Sequence, residues 1–212
     1  LTANPNFENK SSYSFDVIAT DNGTLTDTQA VTLAINDVND APVITSDATA
    51  TAINENSGAG QVVYTVTSTD EDAGATVSYS LSGTDASLFT IDSTSGEVTL
   101  IANPNFENKS SYSFNVIATD NGTLTDTQAV TLSINDVNEA PVITSSATVA
   151  IDENIGAGQV VYTVTSTDVD ASATVTYSLS GTDAELFTIN STTGAVTLTA
   201  NPNFENKSSY SF

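Results

Sequence analysis

Val, Ile, Leu, Tyr and Phe alternate with Thr, Ser and other polar residues through most of the chain, and no stretch places apolar residues at helical spacing. Alternation with period two puts one set of side chains on each face of an extended strand, so the chain reads as all-β. Between residues 41 and 139 it predicts seven strands, near 43–53, 61–68, 75–81, 88–92, 97–101, 110–119 and 123–135. On the sixth, Tyr112, Phe114, Val116 and Ala118 share a face; on the seventh, Val130, Leu132 and Ile134 do so. These faces are the expected core of a sandwich. Asn121-Gly122 predicts a hairpin turn with a residue at positive φ, and Ser95-Gly96 and Gly58-Ala59-Gly60 mark further reversals.

The pattern repeats. The segment Asn-Pro-Asn-Phe-Glu-Asn-Lys-Ser-Ser-Tyr-Ser-Phe begins at Asn4, Asn103 and Asn201, at spacings of 103 − 4 = 99 and 201 − 103 = 98 residues. That is the size of one small β-sandwich. Asn4–Ser46 and Asn103–Ser145 differ only at Asp16/Asn115, Ala34/Ser133 and Asp40/Glu139, as in a recently duplicated array. Strand patterning stops at the acidic segments Asp37–Pro42 and Asp136–Pro141, which places domain boundaries there. Residues 1–40 then form the C-terminal part of one repeat, 41–139 a complete repeat, and 140–212 the N-terminal part of a third. Neither end fragment holds enough strands to bury a core alone. The chain is therefore expected to be a window onto a longer polypeptide, or else its end fragments complement one another between molecules as donated strands.

Composition narrows the chemistry. Twenty-six acidic residues face three lysines, for a formal charge of -23, which argues against nucleic acid and anionic membranes as partners. With no Cys and no His there is neither a disulfide nor an imidazole base, and Ser and Thr have no His partner to activate a hydroxyl. No apolar run approaches the roughly 20 residues that span a bilayer, so no membrane insertion is expected in this segment.

The acids gather at the ends of elements: Glu55, Asp70-Glu71-Asp72, Glu107, Asp120 and Asp136-Val137-Asn138-Glu139 in the complete repeat. In a sandwich with lengthwise strands, Glu55, Glu107 and Asp136–Glu139 fall at one pole and Asp70, Asp72 and Asp120 at the other. Stacking repeats end to end brings unlike poles together. Two unit charges about 4 Å apart repel by roughly 4 kcal/mol at an effective dielectric near 20, so such a joint needs a cation. The single Lys of each repeat lies elsewhere, before the sixth strand. Carboxylates, Asn and backbone carbonyls suit a hard divalent ion, and an irregular cage suits calcium better than magnesium.

These motifs resemble the cadherin repeat in its bacterial cadherin-like form. They are Ile53-Asn-Glu55-Asn56 and Ile151-Asp-Glu153-Asn154, Asp70-Glu-Asp72 and Asp168-Val-Asp170, Asn105-Phe-Glu107, Ala118-Thr-Asp120, and Asp37-Val-Asn39-Asp40-Ala-Pro42, in order over essentially the whole chain. The resemblance implies tandem seven-stranded Greek-key β-sandwiches joined end to end by Ca2+-binding linkers. It implies a first junction made by Glu8, Asp37, Asn39, Asp40, Asp70, Asp72 and Asp120 with the carbonyls of Val38 and Ala41. A second would use Glu55, Glu107, Asp136, Asn138, Glu139, Asp168 and Asp170 with the carbonyls of Val137 and Ala140. Glu153 and Glu205 would serve a further junction, and Asp21 an earlier one. Asn6, Asn105 and Asn203 stand where the family usually has aspartate, and Glu139 replaces an aspartate.

The acids could instead be a solubilising surface, but they avoid the Ser/Thr-rich strand faces. Asp70-Glu-Asp72-Ala-Gly74 lacks the closing Glu and flanking helices of an EF-hand. A glycosidase pair has no reason to recur in every repeat. The expected function is a calcium-rigidified stalk, fibre or adhesin, extracellular on a bacterial surface or secreted, and not an enzyme. The alternatives are a calcium-dependent polysaccharide-binding or homotypic module, with copies of itself as partners, or the spacer of a large secreted enzyme.

Overall fold

A computed structural model describes residues 2–212. The chain falls into two compact units, one reaching to Asp136 and the other running from Val137 to Phe212. In the first unit the strands are β1 (Ser12–Thr20), β2 (Thr26–Ala34), β3 (Val43–Ile44), β4 (Ile53–Asn54), β5 (Gln61–Thr65) and β6 (Ser68–Thr69). They continue with β7 (Ser78–Ser82), β8 (Phe89–Ile91), β9 (Glu97–Leu100), β10 (Ser111–Thr119) and β11 (Thr125–Asn135). Apart from two 3-10 turns, one in each unit, the described elements are strands.

The complete repeat is a sandwich. One sheet runs β4-β11-β10-β7, with β4 parallel to β11; facing it are the β5-β9-β8 sheet and the β3-β6 pair. Phe114, Val116 and Ala118 of β10 and Val130, Leu132 and Ile134 of β11 are buried against Val66, Phe89, Val98 and Leu100. Phe89 packs on Phe114 with ring centroids 4.6 Å apart and meets Tyr112 edge-on at 5.6 Å. Edge-to-face pairs of this kind add to simple area burial. Gly96 turns β8 into β9 at φ 73°, where a Cβ would stand 2.7 Å from the Val66 carbonyl oxygen, so only glycine fits.

Three local expectations change. The strand expected over 43–53 is two short pieces on different sheets, Val43–Ile44 pairing with Thr69 and Ser68, and Ile53–Asn54 with β11. The strand expected over 61–68 divides, because Val66 N donates to Gly96 O and the chain resumes pairing only at Ser68. In the Asn121-Gly122 turn, the residue at positive φ is Thr123, at 74°, and its counterpart Thr24 has φ 69°. A β-branched residue is strained there. The loop is held by one backbone bond and one to a side chain: Asp120 N donates to Leu124 O at 3.1 Å, and Leu124 N to the carboxylate Oδ1 of Asp120 at 2.8 Å.

The β1–β2 hairpin shows which part of the structure is local. Its register, Ser12 opposite Ala34 through Thr20 opposite Thr26, is that of β10–β11, Ser111 opposite Ser133 through Thr119 opposite Thr125. Burial differs: Phe15 is 51 % exposed and Phe114 1 %; Leu33 is 42 % and Leu132 0 %. The hairpin follows from its own residues, and the core from a facing sheet.

In the second unit, β12 (Val142–Ile143) pairs with β14 (Ser166–Thr167), and β13 (Val160–Thr163), β16 (Ala195–Leu198) and β15 (Phe187–Ile189) form one sheet in that order. Phe187, Val196 and Leu198 center its smaller core, with Leu179 and Tyr210 packed on it. Residues 176–180 match β7 in pattern but form no ladder. In the complete repeat, β7 pairs with Asn115–Thr119.

Candidate functional site

Several of the acids are placed by short turn devices. Lys10 N donates to Asn6 O and Asn9 N to Asn6 Oδ1, at 3.0 and 2.7 Å, closing the single turn that carries Glu8. The same bonds recur at Asn105 below Glu107 and at Asn203 below Glu205. The side-chain oxygen at these three positions thus caps a turn, a role that an aspartate would fill equally well. Asp70 accepts the Asp72 backbone N–H on Oδ1 at 3.0 Å, an Asx turn that spaces the two carboxylates.

Within the first unit the linker then meets these acids. Asp40 N donates to Asp72 Oδ2 at 2.8 Å, and Asn39 Nδ2 donates to Asp120 Oδ2 at 2.7 Å and to Asp40 O at 3.0 Å. Carboxylate oxygens of Glu8, Asp40 and Asp72 lie within 4.8 Å of one another. Asp37, Asn39, Asp72, Gly74 and Asn121 line a cleft of about 220 Å³ beside them. Val38 is 75 % exposed on the same linker, followed by exposed Ala41 and fully buried Pro42. Asn6 Nδ2 reaches Glu71 Oε2 at 3.2 Å, a contact that sequence reading missed.

A second cluster in the first unit joins Glu55, Glu107 and Asp136, again within 4.8 Å. Glu55 is 2 % exposed, and its Oε2 accepts the Phe106 backbone N–H at 2.8 Å. Glu153 repeats this bond to Phe204 N at 3.0 Å in the second unit. There the linker also repeats the first pattern: Glu139 N donates to Asp170 Oδ2, Asn138 Nδ2 to Glu139 O, and Asp170 N to Asp168 Oδ1. Val137 and Ala140 flank these groups along the chain. Asp21 Oδ1 accepts Gly23 N and Leu25 N at 2.8 Å each.

The electrostatics are those of crowded anions. At Glu8 a hydrogen bond from its own backbone N–H pulls the carboxyl down, but desolvation and the charges of Asp37 and Asp40 outweigh it, and the net shift is upward. At Glu107 its own N–H likewise lowers the carboxyl, while desolvation, Glu55 and Asp136 carry it upward overall. Asp70 Oδ2 is buried and has no hydrogen-bond partner among the described residues. A buried, unpartnered carboxylate oxygen beside a set of oxygen donors fits a hard divalent cation.

One arrangement that recurs in both units went unread in the sequence. Asp85, 8 % exposed, accepts Ser113 N on Oδ2 at 2.8 Å, and its Oδ1 pairs with Lys109 Nζ at 3.1 Å. Asp183 does the same with Ser211 and Lys207. The signal available was the equal spacing of the two pairs, 109 − 85 = 24 and 207 − 183 = 24 residues.

Comparison with known proteins agrees with this architecture. The Cadherin domain family matches residues 49–135 and 147–212. The chain is 35 % identical over 212 residues to human Protocadherin Fat 4, covering 93 % of this chain and 4 % of that protein. It is 36 % identical over 208 residues to mouse Cadherin EGF LAG seven-pass G-type receptor 2, covering 93 % and 7 %. The chain thus spans a small fraction of the length of these relatives. Among solved structures it is similar to mouse Cadherin-23 EC22-24, with TM-score 0.69 and 28 % identity over 96 % of this chain and 68 % of that one. Protocadherin gammaB7 EC3-6, solved as a cis-dimer, has TM-score 0.64 and 25 % identity over 93 % of this chain and 52 % of that one.

Proposed function

The chain belongs to the cadherin family, and from that premise we propose that it is a calcium-stiffened extracellular stalk or fibre segment with a mechanical and adhesive role. The cadherins and protocadherins it resembles are adhesion proteins rather than enzymes. The observation that carries the reading is the buried Asp70 Oδ2, without a hydrogen-bond partner among the described residues, on the Asx turn that also places Asp72, whose carboxylate lies within 4.8 Å of those of Glu8 and Asp40.

In this reading Glu8, Asp37, Asn39, Asp40, Asp70, Asp72 and Asp120 hold the ion at the first joint, with the carbonyls of Val38 and Ala41. Glu55, Glu107 and Asp136 of the first unit are proposed as further ligands, and so are Asn138, Glu139, Asp168 and Asp170 of the second unit, with the carbonyls of Val137 and Ala140. Calcium supplies positive charge that offsets carboxylate repulsion and ties groups from neighbouring repeats together. The protein's own part is placement. Asx turns space the acids, the Asn6-type caps present the glutamates, and Asp40 N on Asp72 holds the linker against the loop. Repeats so joined behave as a rod, and without the ion as linked beads. Domain limits at 1–40, 41–139 and 140–212 follow from the same reading.

A bacterial cell surface is proposed from the near-identity of successive repeats, although the relatives named above are human and mouse proteins. Homotypic binding is a second reading, favoured by the likeness to a protocadherin solved as a cis-dimer. Small-angle scattering with calcium and with chelator tests the first: a shorter maximum dimension in chelator supports it, and an unchanged one overturns it.

A further inference from the structure

The loops Asp21-Asn-Gly23-Thr-Leu25 and Asp120-Asn-Gly122-Thr-Leu124 are identical in sequence and share their backbone bonds: Asp N to Leu O, and Thr N to Asp O. Neither Gly23 nor Gly122 lies in the left-handed region, which Thr24 and Thr123 occupy instead, so the backbone of the loop does not demand glycine. Their surroundings differ. The three atoms nearest a Cβ on Gly23 all belong to the loop's own Asp21, with Oδ1 the closest at 3.3 Å. A Cβ on Gly122 would stand 2.2 Å from Asn39 Oδ1 and 2.6 Å from Asn39 Cγ. The Asn39 side chain lies flat on the bare Cα, and from that position its Nδ2 reaches Asp120 Oδ2 at 2.7 Å.

We propose that Gly122 is the seat of the linker: a positioning residue whose missing side chain lets Asn39 engage Asp120, so that this contact is made before any ion arrives and selects which linker can dock on the loop. Asn39 is 81 residues from Asp120 along the chain, so the bond fixes the course of the linker, and with it Asp37 and Asp40, against the loop that carries Asp120. A Cβ at 122 leaves Asn39 one way out, which is to rotate off the loop and release Asp120. The effect on calcium rests on the function proposed above; the contact between Asn39 and Gly122 does not.

The test uses the full chain as Gly122→Ala, Asn39→Gly, the double variant, and Gly23→Ala, which measures the cost of a Cβ on the same loop without a linker over it. Calcium-free protein is followed by NMR through the Asn39 side-chain amide, and calcium affinity by calorimetry. Gly122→Ala is expected to lose the protected, downfield Asn39 amide proton without calcium, and to weaken the first joint about tenfold, as supporting contacts around metal ligands do. The double variant should bind no more weakly than Asn39→Gly alone, since both remove one interaction. Gly23→Ala should leave the Asn39 amide unchanged. A protected Asn39 amide retained in Gly122→Ala, or strictly additive losses in the double variant, overturns the proposal. Absence of calcium binding by the unmodified chain would overturn the calcium reading alone, because the calcium-free NMR comparison still decides this one.

Discussion

Asp85 and Lys109 form an ion pair of 3.1 Å in which the two partners are not equals: Asp85 is buried and also holds Ser113 N, whereas the Lys109 side chain is 37 % exposed. Removing the carboxylate strands a backbone N–H at the start of β10; removing the lysine exposes a charge that water can reach. Asp85→Ala is therefore expected to cost the complete repeat about 1–3 kcal/mol, and Lys109→Met less than about 1 kcal/mol, by urea unfolding. The Ser113 N–H, followed by Lys109, holds the Asp85 carboxyl below its ordinary 3.8. Its contribution is present above pH 3.8 and should be lost as pH falls through the lowered value.

Phe15 and Phe114 occupy the same place in nearly identical hairpins, 51 % and 1 % exposed. In the 212-residue chain, Phe114→Ala should destabilise by about 3–5 kcal/mol, through lost burial and a cavity against Phe89. Phe15→Ala should cost under about 1 kcal/mol. Denaturant midpoints of the two variants check the contrast, and equal losses would mean that Phe15 has a covering partner in solution.

Glu8 and Glu107 are raised above 4.5, so their ionised forms are disfavoured in the fold. Their contribution is fully present below pH 4.5 and is lost as pH rises through the raised values. Calcium-free protein should therefore gain thermal stability as pH falls from 7 toward 4.5, above the window in which Asp85 is lost. With calcium the trend should reverse, because protons then compete with the ion for the same oxygens. Scanning calorimetry across this range at constant ionic strength decides it.

The seven strand segments and the inward faces of β10 and β11 were legible because alternation is local and the core side is apolar. The break between Ile44 and Ile53 was not, since it depends on two partners, Thr69 and Ile134, standing on different sheets. Asn121-Gly122 suggested a residue at positive φ in the hairpin, which proves to be Thr123, and the glycine answers instead to Asn39, far away in sequence. Charge clustering pointed to the linker acids, and the structure brings Glu8, Asp40 and Asp72 together. Spacing alone could not show that the Asp72 amide occupies one Asp70 oxygen and leaves the other buried without a hydrogen-bond partner among the described residues.

Calcium calorimetry on the intact chain, beside Asp70→Asn, tests the central claim most directly. The Asn variant keeps size and shape while withdrawing the charge of the buried Oδ2. Saturable calcium uptake by the unmodified chain, weakened about tenfold or more at one class of sites in Asp70→Asn, is the predicted result. No uptake by the unmodified chain, or identical isotherms for the two proteins, would contradict it.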